Sequence, residues 1–85
     1  MLKPTLVSIV ALDGRNEDEL LALATGAADG HAVVVGDAER FADLGLSIER
    51  LGDWPERLRQ RGQRVVFVAV DGQTAGLLGV VDAAV

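Results

Sequence analysis

The side chains that could do chemistry in this chain are few. The sequence has no cysteine and one histidine, His31, so cysteine–histidine catalysis and a histidine-rich metal cluster are excluded. His31 follows Asp-Gly and opens a predicted strand, a place more typical of a half-exposed strand end than of a general base. The serines, Ser8 and Ser47, lack a Gly-x-Ser-x-Gly setting. The acidic run 17–19 favours capping and solvation over cation binding, because consecutive helical residues point in different directions. We assign no catalytic residue and no metal ligand.

A glycine turn is the strongest candidate for ligand binding. Gly36 and Asp37 follow the apolar run Val33–Val35 and precede a predicted helix. Gly36 would let a ligand approach the backbone, and the first N–H groups of the helix could receive an acceptor. Asp37 could cap the helix or accept a hydrogen bond from a ribose hydroxyl, whereas its negative charge disfavours a phosphate there. Ordinary strand-to-helix turns have the same pattern, so the turn alone is a weak signal.

The elements that would hold this turn are organised around the stretch from Arg64 to Val81. Asp71-Gly72 separates two apolar, β-branched runs, which predicts a hairpin with a two-residue type I′ turn. The runs are continuous rather than alternating, so both faces of the hairpin are expected to be covered. Gly76 and Gly79 offer places where another element could approach closely.

The remaining segments predict the element order strand, helix, strand, helix, helix, strand, strand. Strands are predicted over 5–12, entered through Pro4, and over 31–35, ended by Gly36. Asn16 and Asp37 are predicted N-caps, and Asp53 restarts a last helix with Pro55 in its first turn. Trp54 and Leu58 lie one turn apart and are expected to face inward together. The first helix is expected to bury a stripe made of Leu20, Leu23, Ala24 and Ala27. This order indicates an α+β sandwich of two or three layers.

Composition limits the classes of function. The chain has 85 residues, which predicts one domain over 1–85, and 49% of them are hydrophobic. The net charge of −5 and the pI near 4.6 disfavour nucleic acid as a partner. No apolar run approaches the ~20 residues of a membrane helix, and the alternating N-terminal run favours a strand over a signal peptide. We expect a cytoplasmic protein without membrane contact.

A long ordered pattern resembles a known family. The pattern consists of GHAVVVGD at 30–37, Glu39-Arg40-Phe41, a helix ending in RGQ at 61–63, VVFVAVDG at 65–72 and AGLLGVVD at 75–82. It resembles the nucleotide-binding domain of heavy-metal-transporting P-type ATPases, especially the copper- and zinc-type pumps. Residues 30–82 resemble the later half of that domain, and residues 3–24 resemble the segment that leads into it.

The resemblance implies a fold and a weak remnant of a site. In the family the domain is a twisted antiparallel sheet flanked by helices, here expected to have about four strands, and it presents ATP to an aspartate on a neighbouring domain. The family's Gly-Asn pair, which helps hold the nucleotide, matches Gly36-Asp37, with Gly30 and His31 expected at the rim. The aspartate in place of the amide brings a like charge near the phosphates, which favours ribose contact.

This sequence also departs from the family pattern. The family's Asp-Lys-Thr-Gly-Thr phosphorylation motif, its His-Pro pair and its Gly-x-Gly loop are absent. We therefore expect a non-catalytic, shortened relative that binds ATP weakly. The alternatives are a protein-interaction module, an inert fragment, or part of a split metal-transporting ATPase that acts with another chain. Loss of a covering strand would leave a bare sheet edge, which predicts a homodimer through the 5–12 strand or the hairpin edge.

Overall fold

A computed structural model describes residues 2–26 and 30–84 of the chain. Its elements are β1 (Leu2–Ala11), α1 (Glu17–Ala24), β2 (Val33–Gly36), α2 (Ala38–Asp43), a short 3-10 helix (Glu49–Leu51), α3 (Trp54–Gln60), β3 (Arg64–Val70) and β4 (Gln73–Ala84). This is the predicted order of strands and helices. None of the helices in the described ranges is long and apolar enough to span a membrane.

The four strands form one antiparallel sheet in the order β1-β4-β3-β2, which confirms the α+β class. The turn between β3 and β4 has positive φ at both central residues, 50° at Asp71 and 83° at Gly72, as the type I′ prediction requires. Both hairpin strands lie in the interior of the sheet. Up to Val80 the hairpin therefore has no free edge, whereas β1 is an edge strand along its whole length.

Helices cover both faces of the sheet, so the sandwich has three layers. One buried cluster joins Phe41, Leu51 and Leu58 to Phe67 and Leu77. The other joins the α1 residues Leu20 and Leu23 to side chains on the opposite face of β3 and β4. Because neighbouring strand residues point to opposite faces, the continuous apolar runs of the hairpin feed both clusters.

Gly76 and Gly79 allow close packing, as predicted. A Cβ at Gly76 would overlap the Val10 carbonyl oxygen and lie 2.8 Å from Cδ2 of Leu20. A Cβ at Gly79 would overlap the side-chain oxygen of Gln63 and lie 3.0 Å from Ser8 Cβ. Glycine at these two positions lets β1, α1 and the chain before β3 pack directly onto β4.

The strand boundaries differ from the prediction. β1 begins at Leu2, and Pro4 pairs with Asp82 inside the ladder, because an edge strand tolerates a residue without an N–H. β2 begins at Val33 rather than His31, and Gly36 is its last residue, paired with Phe67. The predicted N-caps Asn16 and Asp37 are confirmed, since each side chain accepts a backbone N–H, whereas Asp53 makes no side-chain cap bond.

The inward orientation predicted for Trp54 is wrong. Trp54 is 42% exposed, whereas Pro55 and Leu58 on the same helix are buried. Residues three or four apart share a helix face, so Leu58 could face the core together with either Trp54 or Pro55. The structure buries Leu58 together with Pro55. Two predicted features lie outside the described residues: Ala27 as part of the buried stripe of the first helix, and Asp29 as a turn residue.

Candidate functional site

The junction between β2 and α2 holds the predicted Gly36-Asp37 turn. Asp37 has extended backbone angles, and its Oδ1 accepts a hydrogen bond of 2.9 Å from the Arg40 N–H. The carboxylate therefore serves as the helix cap, which was one of its two predicted roles. A carboxylate has two oxygens that can each accept more than one bond, so this cap leaves acceptor capacity at the turn.

Arg40 lies beside Gly36, which the sequence pattern alone did not reveal. A Cβ at Gly36 would lie 2.6 Å from Cδ of Arg40 and 3.2 Å from its Cβ. The aliphatic stem of an exposed arginine thus covers the bare backbone that was predicted to receive a ligand. A flexible exposed side chain moves at little cost, and its guanidinium brings a positive charge to a turn where only Asp37 had been considered.

Gly30 and His31 lie at the other end of β2. His31 Nδ1 is 2.9 Å from Asp71 Oδ2, and the Ala32 N–H donates to Asp71 Oδ1 at 3.0 Å. The Asp71 N–H in turn donates to the Ala32 carbonyl at 2.8 Å. These bonds tie the start of β2 to the β3–β4 turn, and the hydrogen bond from His31, followed by that from Ala32, lowers the pKa of Asp71 below its ordinary value.

The four predicted site residues do not come together. His31 and Gly36 are five residues apart along an extended strand, which corresponds to about 16 Å at ~3.3 Å per residue. The depression next to His31, of about 200 Å³, is lined by Arg15, Glu19, Ala22, Leu23 and His31. The nucleotide interpretation of Gly36 and Asp37 therefore depends on the β2–α2 junction alone, and His31 belongs to the strand-to-turn connection.

A second ion pair fixes the turn after β1. Arg50 Nη1 donates to Asp13 Oδ2 at 2.9 Å, and Nη2 contacts the other carboxylate oxygen. Asp13 has a φ of 59°, a conformation that aspartate tolerates better than most residues. The hydrogen bond from Arg50 lowers the pKa of Asp13. This pair joins the β1–α1 connection to the 3-10 helix and leaves Arg50 already partnered.

The part of the chain with described side chains contains no group of three or more histidine, aspartate or glutamate residues placed to hold a metal ion. The acidic run at the start of α1 is on the surface, where Glu19 pairs with its cap Asn16: the Glu19 N–H donates to Asn16 Oδ1 at 2.8 Å, and Nδ2 of Asn16 lies 3.3 Å from Glu19 Oε1. The first bond is the N-cap, whereas the second joins the two side chains and does not satisfy the Asn16 backbone N–H, so only half of a capping box is present.

Comparison with known proteins identifies relatives. No family model matches the chain. A copper-transporting P-type ATPase of Rhizobium leguminosarum bv. viciae is 44% identical over 57 residues, and a copper-exporting P-type ATPase of Legionella pneumophila subsp. pneumophila is 40% identical over 57 residues. This chain contains a segment related to copper-transporting P-type ATPases. The match covers 67% of the chain but only 7% and 8% of the two relatives.

The P-type ATPase-related segment includes the β2–α2 junction. A continuous stretch of 57 residues in a chain of 85 starts no later than residue 29 and ends no earlier than residue 57. It therefore contains both ends of β2, all of α2 and the start of α3. The candidate turn thus belongs to the part of the chain that is related to the copper pumps.

Proposed function

We propose that this chain is a shortened, non-catalytic relative of the nucleotide-binding portion of a copper-transporting P-type ATPase, and that it binds ATP weakly in the cytoplasm. The observation that supports this most directly is the β2–α2 junction, where Gly36, Asp37 and Arg40 meet within the segment related to the pumps.

The three residues would divide the contacts with a nucleotide. Gly36 lets a planar base or a ribose approach the strand once the Arg40 stem moves aside. Asp37 accepts a hydrogen bond from a ribose hydroxyl while one oxygen holds the cap, and Arg40 turns its guanidinium toward the phosphates. The carboxylate and the guanidinium have opposite effects on a polyphosphate, so their charges largely cancel. Weak binding follows from this balance.

The test is an ATP titration followed by backbone amide NMR, with two variants. Asp37→Asn keeps the cap, because asparagine caps helices as well as aspartate does, and removes the like charge. A unit charge about 6 Å from a phosphate in water is worth ~0.7 kcal/mol, or about threefold in affinity. ATP is therefore expected to bind Asp37→Asn about threefold more tightly and Arg40→Gln about threefold more weakly.

Arg15→Gln is the matched control for Arg40→Gln. It removes the same charge beside α1, on the opposite face of the sheet. The expected amide shifts centre on Gly36 and Asp37 at millimolar ATP. No shift at that concentration, or equal weakening by the two arginine variants, would refute binding at this junction.

A second candidate function is docking onto a pump chain, with this chain supplying one part of a split ATPase. The β1–β4 ladder favours it. Arg64, the first residue of β3, pairs with Val80 of β4, whereas the pairing of β4 with β1 continues to Ala84, which pairs with Leu2. Beyond Val80, β4 pairs with β1 alone in the described sheet, so its other edge is open there to a strand of a partner chain. Co-purification with a copper pump that lacks this region is expected, and restored ATP hydrolysis would distinguish this function from the first.

A further inference from the structure

Charge is strongly segregated along this acidic chain. Residues 50–64 contain five of the eight basic residues and two of the thirteen acidic ones, so this segment carries +3 and the rest of the chain carries −8. The segment comprises the end of the 3-10 helix, α3 and the first residue of β3. Two of these arginines, Arg50 and Arg64, pair with Asp13 and Asp82 outside the segment. With these two carboxylates counted, the segment and its partners carry +1, against −5 for the whole chain, and the β2–α2 junction does not explain this difference.

An exposed tryptophan lies within this cationic segment. Trp54 is 42% exposed, and the guanidinium carbon of Arg57 is 5.5 Å from its ring centroid. Leu51 and Leu58 belong to the core beneath the helix, and Pro55 is buried beside Trp54, so the indole is not needed there. A hollow of about 270 Å³ adjoins the ring and is lined by Arg50, Leu51, Gly52, Asp53, Trp54 and Arg57.

The arginines of this segment differ in their partners. Arg50 pairs with Asp13, Arg64 with Asp82 at 3.1 Å, and Arg59 approaches Glu56 at 4.0 Å. Arg57 makes no salt bridge within the described residues and contacts the indole instead. Its guanidinium is therefore free to receive a carboxylate from outside while the ring keeps it in position.

We propose that Trp54 and Arg57 form the centre of a docking surface for an acidic segment of a partner protein. An apolar side chain of the partner would enter the hollow against Trp54, and its carboxylates would contact Arg57. Tryptophan and arginine are the residue types most enriched at the energetic centres of protein interfaces. Arg57 lies in the least acidic part of the chain, so an acidic segment approaches this surface more readily than the rest of the protein.

The geometry favours a peptide over a nucleotide at this surface. The Arg57 guanidinium already lies over the indole, where a base would otherwise stack. Arg50, the other arginine at the hollow, is bound by both carboxylate oxygens of Asp13. A polyphosphate would thus find one unpaired arginine, Arg57, at the hollow, whereas a peptide can place an apolar side chain against the exposed indole and a carboxylate on Arg57.

The test uses fluorescent twelve-residue peptides rich in Asp and Glu, each with one central Phe, Leu or Trp, and measures their anisotropy as the full chain is added. Trp54 is the only tryptophan of the protein, so its emission reports on the same surface when the Phe or Leu peptide is used. Binding with salt-sensitive affinity is expected, along with a shift in Trp54 emission. Arg57→Gln is expected to weaken peptide binding about fivefold, which corresponds to the loss of one ion pair worth ~1 kcal/mol.

Arg59→Gln is the matched control, since it removes the same charge from the same helix. It is expected to change the affinity less than twofold, while Trp54→Leu is expected to weaken binding as Arg57→Gln does. Circular dichroism checks that these surface variants keep the fold. No binding by any of the three peptides, equal weakening by Arg57→Gln and Arg59→Gln, or tighter competition by tripolyphosphate than by unlabelled peptide would each overturn the proposal.

Discussion

Gly76→Ala should destabilise the protein because three elements meet at this residue. Gly76 lies in β4, pairs with Ala11 of β1 and faces Leu20 of α1. A methyl group there would overlap the Val10 carbonyl oxygen and lie 2.8 Å from Leu20 Cδ2. The leucine methyl can rotate away, but the carbonyl belongs to the ladder, so β1 must shift away from β4.

The expected loss is about 2 kcal/mol. Overpacking of this kind costs about 1–3 kcal/mol, and a weakened ladder hydrogen bond adds about 1 kcal/mol. Alanine also lowers the conformational entropy of the unfolded chain relative to glycine, which offsets about 0.4–1 kcal/mol of the lost stability. An 85-residue domain has a free energy of unfolding of about 4–13 kcal/mol, so the variant should still fold, with a Tm lowered by about 8–16 °C.

Gly36→Ala provides the matched control. It adds the same methyl group to another strand, but the nearest atom is Cδ of the exposed Arg40 side chain, at 2.6 Å. Cδ can swing away, and Cβ of Arg40, at 3.2 Å, needs only a small shift of an exposed helix residue, so the loss should stay within about 1 kcal/mol. Urea unfolding followed by circular dichroism measures both. If Gly76→Ala were no less stable than Gly36→Ala, the close approach of β1 to β4 at this glycine would be refuted.

Three further predictions concern the core, pH and association. The side-chain oxygen of Gln63 is buried without a hydrogen-bond partner among the described residues, so Gln63→Leu should maintain stability or raise it by up to ~1 kcal/mol in urea unfolding; a clear loss would contradict this. The hydrogen bond from His31 lowers the pKa of Asp71 in the folded protein. The charged carboxylate therefore stabilises the fold fully above the ordinary carboxyl pKa near 4, and this stabilisation is lost as the pH falls through the lower pKa of the folded state. Asp71→Asn should therefore lower the Tm at pH 7 but not at pH 2, and an equal deficit at both would refute the charge effect. Val7, 50% exposed on the free edge strand β1, should support a homodimer at high concentration that Val7→Lys abolishes; sedimentation showing only monomer for the unmodified chain would argue against it.

Local signals in the sequence predicted much of this fold. The Asp71-Gly72 turn, the caps at Asn16 and Asp37 and the close-packing glycine at Gly76 depend on neighbouring residues or on backbone freedom, which a sequence shows directly. The pairing of β1 with β4 joins the two ends of the chain, and no local pattern identifies that partner. The exposure of Trp54 was missed for a related reason, since helical spacing alone does not decide which of two apolar pairs meets the core.

The candidate site was predicted in the same partial way. The strand, glycine and cap of the Gly36-Asp37 turn follow from consecutive residues. The position of Arg40 over Gly36 depends on its rotamer, and the partner of His31 is 40 residues away at Asp71. The sequence shows the identity and charge of Arg40 and His31, but which residues they contact depends on the tertiary structure.

The position of β1 beside β4 also affects how the chain leaves the ribosome. β1 is synthesised before the other three strands, yet its neighbour in the described sheet is β4, the last of the four to be made. At about 5–20 residues per second, the 73 residues from the end of β1 to the end of β4 take about 4–15 s to synthesise. During that time an apolar strand with one charged residue, Lys3, has no native partner in its own chain. Nascent chains on neighbouring ribosomes present the same strand, so pairing of β1 between chains competes with its native pairing until β4 has been made.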